Sequence, residues 1–257
     1  MSLIALISDF GVKDWFVGEL KGVLYSIAPQ TTIVDITHQI PPGDIFNAAF
    51  NLLASYKSFP KESIFCVATG ISTETNCRSI VARTDDYTFI GPDNGVLSWV
   101  LRNDKHQIWC IENKAYTREQ PSVTFQARDI FGPAAAHISR GISPDKLGPQ
   151  ISDIVRIPLP LPSISPDKLT GEIIYIDSFG NALTNICFSD LKALKDPCNI
   201  CNLDDRFNIS IKSQYQEVRQ LEKLCYVGSA GFMEIAVREG SGADIMKISI
   251  GQKVVIR

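Results

Sequence analysis

The chain has 257 residues, of which 45% are hydrophobic and 21% are charged, and its formal net charge is −3. This balance is typical of a globular protein with one large domain or two unequal ones. No basic run exceeds two residues, which excludes nucleic acid and anionic membranes as main partners, because both need clustered Lys and Arg. The N-terminal stretch lacks the features of a signal peptide, and no apolar window approaches about 18 residues. We therefore expect a cytoplasmic protein without a membrane span.

The first part of the chain alternates strand patterns with helix patterns. Helices are predicted at Phe16 to Ile27, at Asp44 to Phe59 and at Arg128 to Gly141, where apolar residues recur at helical spacing. The predicted strands, in chain order, are SLIALIS, TTIVDIT, SIFCVAT, SIVART, YTFIG and QIWCIE. This alternation implies a mostly parallel sheet flanked by helices, so we predict an α/β domain over residues 1–156.

A proline-rich connector separates this part from a different pattern. The stretch RIPLPLPSISPDK disfavours both helix and central strand, so we predict a stiff linker at residues 157–168. Beyond it, short strand patterns are separated by turn residues: GEIIYID, ALTNICF, FNISI, KLCYVGS, FMEIAV and KISIGQKVVI. We predict an all-β antiparallel barrel or sandwich over residues 169–257.

The cysteines do not form a recognisable framework. There are seven of them, an odd and scattered set that favours reduced thiols in a cytoplasmic protein. The close pair Cys198 and Cys201 lacks the two further ligands that a zinc site needs. We expect no metal and interpret these cysteines as packing or surface thiols.

Asp9 follows the first predicted strand, where ligands bind in open α/β sheets. Its carboxylate is suited either to a ribose diol or to capping the next helix. The chain has no glycine-rich phosphate loop. A nucleoside ligand is therefore expected to lack phosphates.

Three further segments combine small or polar residues at strand ends. The loop ATGISTETNCRS and the segment GSAGF can offer backbone N–H groups to a ligand, or can be ordinary turns, and GPDNG predicts no more than a tight turn. The segment IDSFGNALTN is predicted to place four side chains around one turn: Asp177, Phe179, Asn181 and Asn185. An Asn amide suits an adenine edge, and Phe179 can stack on a ring.

The stretch TFQARDIFGPAAAH contains a charged pair, Arg128 and Asp129, between apolar residues. The pair is either a device that starts a helix or the wall of a site. Gln126, just before it, can form hydrogen bonds but cannot act as a base.

Together, six segments resemble in order the motifs of the S-adenosyl-L-methionine (SAM) hydroxide adenosyltransferases, relatives of the halide-using fluorinases and chlorinases. They are DFGVKDWFVGELKG, IPPGD, GPDNGVLSWVL, TFQARDIFGPAAAHISRG, IDSFGNALTNI and GSAGFMEIAV. The resemblance covers nearly the whole chain. It implies an α/β domain, a β domain, and a homotrimer with active sites between neighbouring subunits. The implied reaction is attack by water or halide on C5′ of SAM, which is the substrate, with no cofactor.

The resemblance also implies roles for single residues. Asp9 resembles the ligand of the ribose diol, Asp177 the acceptor for the methionine ammonium and Asn181 the adenine reader. Phe179 would line the same pocket, and Ser229 would meet the methionine carboxylate. Arg128 is counted with the catalytic candidates because its motif lies beside the reacting centre, although we expect the pair with Asp129 to orient the loop.

The nucleophile side departs from the family pattern. Hydroxide-using members carry V-D-P-G-V-G-T-x-R-R, and a gapless alignment on Arg78 places Gly70 on its Asp and Cys77 on its Arg. They also carry F-H-G-R-D, and Gln126 stands in the place of its His. Thr73 falls on the pocket Thr of the halide-using members, Ala127 falls on their small residue that faces the halide, and Gly70 replaces their Tyr. We interpret Gly70, Cys77 and Ala127 as the nucleophile pocket, with space at Gly70 for a different nucleophile. Gln126 and Thr73 would hold water, and Cys77 is an alternative nucleophile.

Three hypotheses follow for the activity. The first is cleavage of SAM at C5′ by water, which yields adenosine and L-methionine. The second is a non-catalytic SAM or adenosine binder, such as a sensor. The third is halide transfer that forms 5′-chloroadenosine.

Overall fold

The computed structural model describes residues 2–70, 77–102, 104–165, 167–193 and 199–257. The chain divides into two compact units, Met1–Pro158 and Leu159–Arg257. The division falls within the proline-rich connector. Thr73 and Cys198 lie outside the described residues.

The first unit is built on one sheet. Its strands are β1 (Leu3–Ser8), β2 (Thr32–Thr37), β3 (Ile64–Ala68), β4 (Ser79–Thr84), β5 (Thr88–Pro92), β6 (His106–Cys110) and β7 (Gln150–Ile151). Their order is β2-β1-β3-β5-β4-β6-β7. The first four in this order pair in parallel, whereas β4, β6 and β7 pair antiparallel with their neighbours. The α/β class is confirmed, with a mixed sheet, because the short link between β4 and β5 permits only a hairpin.

Three α-helices accompany this sheet: α1 (Phe16–Ile27), α2 (Ile45–Ser55) and α3 (Gly132–Ser139). The prediction for α1 is confirmed at both ends. Asp44 caps α2 by accepting a hydrogen bond from the Asn47 N–H at 3.0 Å, and a 3₁₀ turn, Tyr56–Ser58, continues that helix. Further 3₁₀ turns are Lys114–Tyr116 and Pro144–Lys146. A π-helical turn, Ala127–Phe131, precedes α3.

The core of the first unit lies between α1, α3 and the sheet. Its buried members include Leu6 of β1, Leu24 of α1, Cys66 of β3 and Phe131 at the end of the π-helical turn. The apolar periodicity of the sequence places these side chains on the inner faces of their elements. The Ala-rich helix α3 can lie close to its neighbours because alanine side chains are small.

The second unit is an antiparallel, barrel-like sheet. Its strands are β8 (Ser163–Ser165), β9 (Lys168–Ile176), β10 (Ala182–Cys187), β11 (Ile200–Leu203), β12 (Phe207–Ser210), β13 (Lys223–Val227), β14 (Phe232–Val237) and β15 (Lys253–Ile256). Their order is β12-β11-β15-β9-β10-β14-β13, and β8 pairs with β9. A bridge between Ile211 and Cys225 links the two ends of this order. The predicted all-β class is confirmed.

Short helical segments interrupt this sheet: α4 (Phe188–Leu191), α5 (Gly242–Met246) and the 3₁₀ turn Tyr215–Glu217. The predicted strand KISIGQKVVI is wrong in its first half, because only Lys253–Ile256 pairs. Lys247 adopts a left-handed conformation at the end of α5, which breaks the strand pattern. No helix among the described residues is long and apolar enough to cross a membrane.

Candidate active site

Asp9 lies directly after β1, at the carboxyl ends of the parallel strands. Its Oδ2 accepts hydrogen bonds from the backbone N–H groups of Gly43, at 3.0 Å, and Gly70, at 3.1 Å. The carboxylate thus joins the loops that follow β2 and β3. The alternative role as a helix cap is wrong, because Trp15 occupies the N-cap of α1 and no side chain caps that helix. Asp9 Oδ1 has no hydrogen bond to the described residues and can accept one from a ligand hydroxyl.

A polar row that starts at the buried Ser8 and His38 and ends at the partly exposed Asp35 and Lys21 lies beside Asp9, and the sequence reasoning missed it. Ser8 Oγ is 2.7 Å from His38 Nδ1, and His38 Nε2 is 3.1 Å from Asp35 Oδ1. Lys21 Nζ donates to Asp35 Oδ2 at 2.6 Å. The row joins the carboxyl ends of β1 and β2 and so supports the loops on which Asp9 and its donors lie. The sequence signal was an Asp and a His three positions apart at the end of a strand.

The segment GPDNG does more than form a tight turn. The buried Asp93 Oδ2 accepts hydrogen bonds from Arg78 Nε and Nη2, at 2.9 and 2.6 Å. Asn94 Nδ2 donates to the carbonyl oxygen of Thr69 at 2.9 Å. The prediction for this segment was therefore too weak, because its two polar side chains hold the loop that follows β3.

Gln126 begins the π-helical turn. Its Oε1 is buried and has no hydrogen-bond partner in the described part of the chain. An unpaired buried acceptor costs about 1–3 kcal/mol, so this atom marks a place for a donor group. Ala127, the next residue, is fully buried, and π-helical turns occur frequently at functional sites.

Arg128 and Asp129 form an internal ion pair in the same turn. Arg128 Nε and Nη2 donate to the two Asp129 carboxylate oxygens at 2.7 and 2.9 Å, and Nη1 donates to Glu19 at 3.1 Å. Burial by itself would raise the pKa of Asp129, but hydrogen bonds from Arg128 and the Ser122 N–H outweigh it, and the pKa is lowered. This arrangement favours the orienting role. It speaks against Arg128 as a catalytic residue, because each guanidinium nitrogen is engaged with a carboxylate.

Cys77 lacks the surroundings of a reactive thiol. Its Sγ lies 3.7 Å from the carbonyl oxygen of Arg78. Burial, with a smaller contribution from Asp93, raises the pKa of the thiol. A thiol that stays protonated near neutral pH is a poor nucleophile. The structure therefore does not favour Cys77 as the nucleophile.

Aromatic rings surround the segment that carries Gln126. Phe125 lies edge-on to Phe10, at 5.6 Å between ring centroids, and to Phe16, at 5.4 Å. Trp15 lies 5.2 Å from Phe16 and is 66% exposed. This wall was not predicted, because Phe125 is far in sequence from the other three rings.

In the second unit, the turn between β9 and β10 is organised by Asp177. Its Oδ1 accepts hydrogen bonds from the N–H groups of Phe179 and Asn181, at 2.9 and 2.8 Å, and its Oδ2 accepts one from Asn181 Nδ2 at 2.9 Å. Gly180 has a φ of +81°, and a Cβ there would overlap Ser241. The turn therefore needs glycine at this position.

The prediction that Asn185 joins this turn is wrong. Asn185 is buried on β10, where its Oδ1 accepts a hydrogen bond from the Glu172 N–H at 2.8 Å. The side chain thereby satisfies a strand donor next to Gly171. Its role is structural.

A pocket of about 730 Å³ opens on the turn of Asp177. Four predicted ligand-binding residues lie around it: Asp177, Phe179, Asn181 and Ser229. Phe179 is 77% exposed, so its ring is available to a ligand. The remaining lining residues are Tyr215, Tyr226, Glu234, Val237, Glu239 and Gly240.

A chain of hydrogen bonds joins Asn181 to the buried Glu234. Tyr215 Oη lies 3.3 Å from Asn181 Oδ1 and 2.7 Å from Tyr226 Oη, and Tyr226 Oη bonds to Glu234 Oε2. Burial raises the pKa of Glu234, which is 6% exposed; the hydrogen bond from Tyr226 opposes this shift, nearby Asp177 adds to it, and the pKa is raised. The sequence reasoning missed this chain. Its signal was a Glu within the apolar strand FMEIAV.

Profiles of two domains match the sequence. The SAM hydroxide adenosyltransferase N-terminal domain matches residues 4–148, and the C-terminal domain of the same name matches residues 171–255. The chain belongs to the SAM hydroxide adenosyltransferase family.

Similar proteins include two kinds of enzyme. The (R)-S-adenosyl-L-methionine hydrolase of Thermus thermophilus is 31% identical over 99% of both chains. A protein of the same name from Salinispora tropica is 30% identical, covering 98% of this chain and 96% of its own. The fluorinase of Nocardia brasiliensis is 30% identical, covering 99% and 96%. The family relationship thus spans hydrolases and a fluorinase.

The fold has a close match among solved structures. The crystal structure of an uncharacterized conserved protein from Thermotoga maritima has a TM-score of 0.93 and 32% sequence identity. It covers 98% of this chain and 99% of that one. The resemblance drawn from the six motifs is confirmed.

For this member of the SAM hydroxide adenosyltransferase family, the interpretation of Gly70 needs correction. Gly70 has a φ of +67°, and a Cβ there would lie 2.8 Å from Ile45 Cγ1 and 3.0 Å from Asn94 Nδ2. A side chain does not fit at this position, which speaks against the predicted open space at Gly70. The assignment of Gly70 to the aspartate position of the family motif stays a prediction.

Two other sequence predictions concern residues that are not all described. Thr73 and Cys198 fall outside the described ranges, so the water-holding role of Thr73 and the interpretation of Cys198 as a packing or surface thiol stay predictions. Cys201 is a buried free thiol on β11. Within the described ranges, no group of three or more His, Cys, Asp or Glu side chains is placed to hold a metal ion.

Proposed function

We propose that this protein cleaves SAM at C5′ with water and releases adenosine and L-methionine. The family membership and the relatives named SAM hydrolases support this reaction. The observation that carries the choice of water is the buried, unpaired Oε1 of Gln126. A water molecule can donate a hydrogen bond to that oxygen, whereas a halide ion has no proton to donate.

The reaction needs no cofactor, because the sulfonium of SAM is already a good leaving group. The water oxygen forms a bond to C5′ while the C5′–S bond breaks. The electron pair of the broken bond stays on sulfur and neutralises the sulfonium. One proton of the attacking water is lost to solvent. Gln126 cannot take that proton, so the rate lacks the roughly 10²–10⁴-fold that a general base supplies. Positioning the water in line with the leaving sulfur supplies the remaining acceleration.

The binding roles follow from the polar groups of each unit. In the first unit, Asp9 Oδ1 is the proposed acceptor for the ribose hydroxyls. In the second unit, Asp177 is the proposed acceptor for the methionine ammonium, Ser229 the partner of its carboxylate and Asn181 the adenine reader, with Phe179 against a ring. A pocket of about 730 Å³ has the size of small-molecule sites.

A second candidate function is non-catalytic binding of SAM or adenosine. It is favoured by the lack of a titratable side chain at Gln126 and of a carboxylate at Gly70. Halide transfer is a third candidate and is disfavoured, because Gly70 offers neither a pocket Tyr nor open space. We also propose a homotrimer in the cytoplasm, with the exposed ring of Trp15 among its candidate contact groups. Light scattering coupled to size-exclusion chromatography tests the trimer.

The reaction is tested by incubating the purified full-length protein with SAM in ¹⁸O-labelled water. Chromatography with mass spectrometry is expected to detect adenosine with one ¹⁸O atom at the 5′ position, together with L-methionine. Chloride-dependent 5′-chloroadenosine would instead identify the halide reaction. Binding by calorimetry with intact SAM after hours would identify a binder and overturn the hydrolase proposal.

A further inference from the structure

The hydrogen-bond chain behind the second-unit pocket contains too few protons to satisfy every member in one arrangement. Tyr215 and Tyr226 each carry one hydroxyl proton. Burial contributes most to raising the pKa of each phenol, and both phenols therefore stay protonated. Three contacts must be made, namely Asn181 with Tyr215, Tyr215 with Tyr226, and Tyr226 with Glu234. Two hydroxyl protons cannot serve three contacts.

The amide of Asn181 has a defined orientation in this chain. Its Nδ2 donates to Asp177 Oδ2 at 2.9 Å, and the reverse orientation would place two oxygens against each other. Asn181 Oδ1 therefore faces Tyr215 and needs a donor there. The end of the chain at Asn181 is an acceptor.

When Glu234 is ionised, it accepts the proton of Tyr226, and Tyr226 accepts the proton of Tyr215. No proton then remains between Tyr215 and Asn181 Oδ1, and two oxygens lie 3.3 Å apart without a hydrogen bond. The Asn181 amide is held only through Asp177.

When Glu234 is protonated, the direction of every bond reverses. Glu234 donates to Tyr226, Tyr226 donates to Tyr215, and Tyr215 donates to Asn181 Oδ1. All three contacts are then hydrogen bonds, and the amide is held at both ends.

We propose that Glu234 holds the proton that directs this chain toward Asn181, and that Tyr215, Tyr226 and Glu234 are positioning residues for the adenine-reading amide. The inference rests on the proposed function only for the identity of the ligand. Adenosine binds best while Glu234 is protonated and more weakly after it ionises.

The surroundings of Glu234 favour its neutral form. Burial and the nearby Asp177 of the β9–β10 turn raise the pKa of Glu234 by more than the hydrogen bond from Tyr226 of β13 lowers it. Tyr215 of the 3₁₀ turn and the thiol of Cys225 also face this carboxyl. Glu239 lines the same pocket and pairs with Arg238. Within the described ranges, no Lys, Arg or His lies at ion-pair distance from Glu234. The Glu234 carboxylate also leaves no room for a Cβ at Gly228, so water has little access from that side.

The ligand test is calorimetry of adenosine binding to the full-length protein between about pH 5 and about pH 8. The affinity of the unmodified protein is expected to fall roughly fivefold as Glu234 ionises, the effect of one hydrogen bond. Glu234→Gln supplies a permanent N–H donor, so it is expected to keep the higher affinity across the range. Tyr215→Phe removes the donor and is expected to show the lower affinity at every pH. Glu239→Gln is the matched control and is expected to retain the pH dependence.

A ligand-free measurement separates this inference from the proposed function. In ¹³C and ¹⁵N NMR spectra, the carboxyl carbon of Glu234 and the side-chain amide of Asn181 are expected to shift with one common pH midpoint. The Asn181 shift is expected to vanish in Glu234→Gln and Tyr215→Phe. The inference would be overturned if Glu234 is already ionised at the lowest pH. It would also be overturned if the Asn181 amide shift does not change as Glu234 titrates. Failure of adenosine to bind would contradict only the proposed adenosine site. The NMR result would still decide whether Glu234 controls the hydrogen bond to Asn181.

Discussion

The Gly70 backbone N–H donates a hydrogen bond to Asp9 Oδ2 over 3.1 Å, although the residues are 61 positions apart. The donor points at the carboxylate because Gly70 adopts a left-handed conformation, with a φ of +67°. The Asp9 carboxylate, which is proposed to bind the ribose hydroxyls, is thus oriented by a glycine. The gapless alignment assigned that glycine to the position of a lost catalytic residue. Gly70 therefore has a structural task of its own.

Replacement of Gly70 by Ala is expected to destabilise the protein more than replacement of Gly11. Gly11 has nearly the same φ, +68°, but its Cβ would meet nothing within 4 Å. Gly11→Ala is expected to cost about 1–2 kcal/mol from backbone strain alone. Gly70→Ala adds the overlap with Ile45, about 1–3 kcal/mol. Urea unfolding of both variants checks this, and equal losses would contradict the close packing at Gly70.

Asp9→Asn is expected to weaken adenosine binding by roughly tenfold to a hundredfold, since a hydrogen bond to a charged group contributes about 1.5–3 kcal/mol. Calorimetry with adenosine and with 2′,3′-dideoxyadenosine measures the effect. The dideoxy ligand is the control and should bind the variant and the unmodified protein alike. An equal loss for both ligands would show that Asp9 only supports its loops.

Asp129→Ala is expected to lower the free energy of unfolding by about 3–5 kcal/mol, because it leaves Arg128 without its buried partner. Asp153→Ala is the matched control. Its side chain pairs with Arg78 but is 78% exposed, so its loss should cost less than about 1 kcal/mol. Chemical unfolding at neutral pH measures both.

The ion pair of Arg128 and Asp129 predicts that the folded protein loses stability in acid. The folded-state pKa of Asp129 lies below its ordinary value of 3.8. The contribution of Asp129 to the free energy of unfolding is therefore complete above its pKa in the unfolded chain. It is lost as the pH falls through its pKa in the folded protein. Unfolding below about pH 4 should show this loss in the unmodified protein and much less of it in Asp129→Asn. Parallel curves would contradict the ion-pair assignment.

Gln126→His is expected to accelerate SAM hydrolysis and to introduce a pH dependence that follows imidazole ionisation. The gain should lie at the low end of the roughly 10²–10⁴-fold that a general base supplies, since no carboxylate orients the new ring. Adenosine formation over a pH series measures it. Gln126→Ala is the control and should be slower than the unmodified protein at every pH. A faster Ala variant would disprove the role of Gln126 in holding water.

Glu234 predicts the opposite pH trend for stability from Asp129. Its folded-state pKa lies above the ordinary value of 4.5 because of burial. The folded protein then binds more protons than the unfolded chain, so stability falls as the pH rises from about 4.5 through the folded pKa and is constant beyond it. Thermal unfolding should show this slope, and Glu234→Gln should remove it. An unchanged slope in the variant would assign it to another group.

Several elements of the fold could be predicted because their causes are local. The limits of α1 follow from apolar spacing and a following proline, and the cap of α2 follows from Asp44. The antiparallel course of β4 could also be predicted, because the link from Thr84 to Thr88 is too short for a parallel crossover, but the predicted mostly parallel sheet did not use that link. Asn185 was misplaced because a buried strand amide and a turn amide look alike in sequence.

The sequence by itself determined the two-domain order, the family and three polar residues of the second-unit pocket, Asp177, Asn181 and Ser229, because these depend on composition, periodicity and motif spacing. Only the tertiary structure decided what Gly70, Arg128 and Glu234 do. Their roles depend on a backbone angle, on the carboxylates that surround a guanidinium, and on a row of hydroxyl groups from separate strands and turns. Such properties arise from distances between residues far apart in the chain, and a one-dimensional pattern does not contain those distances.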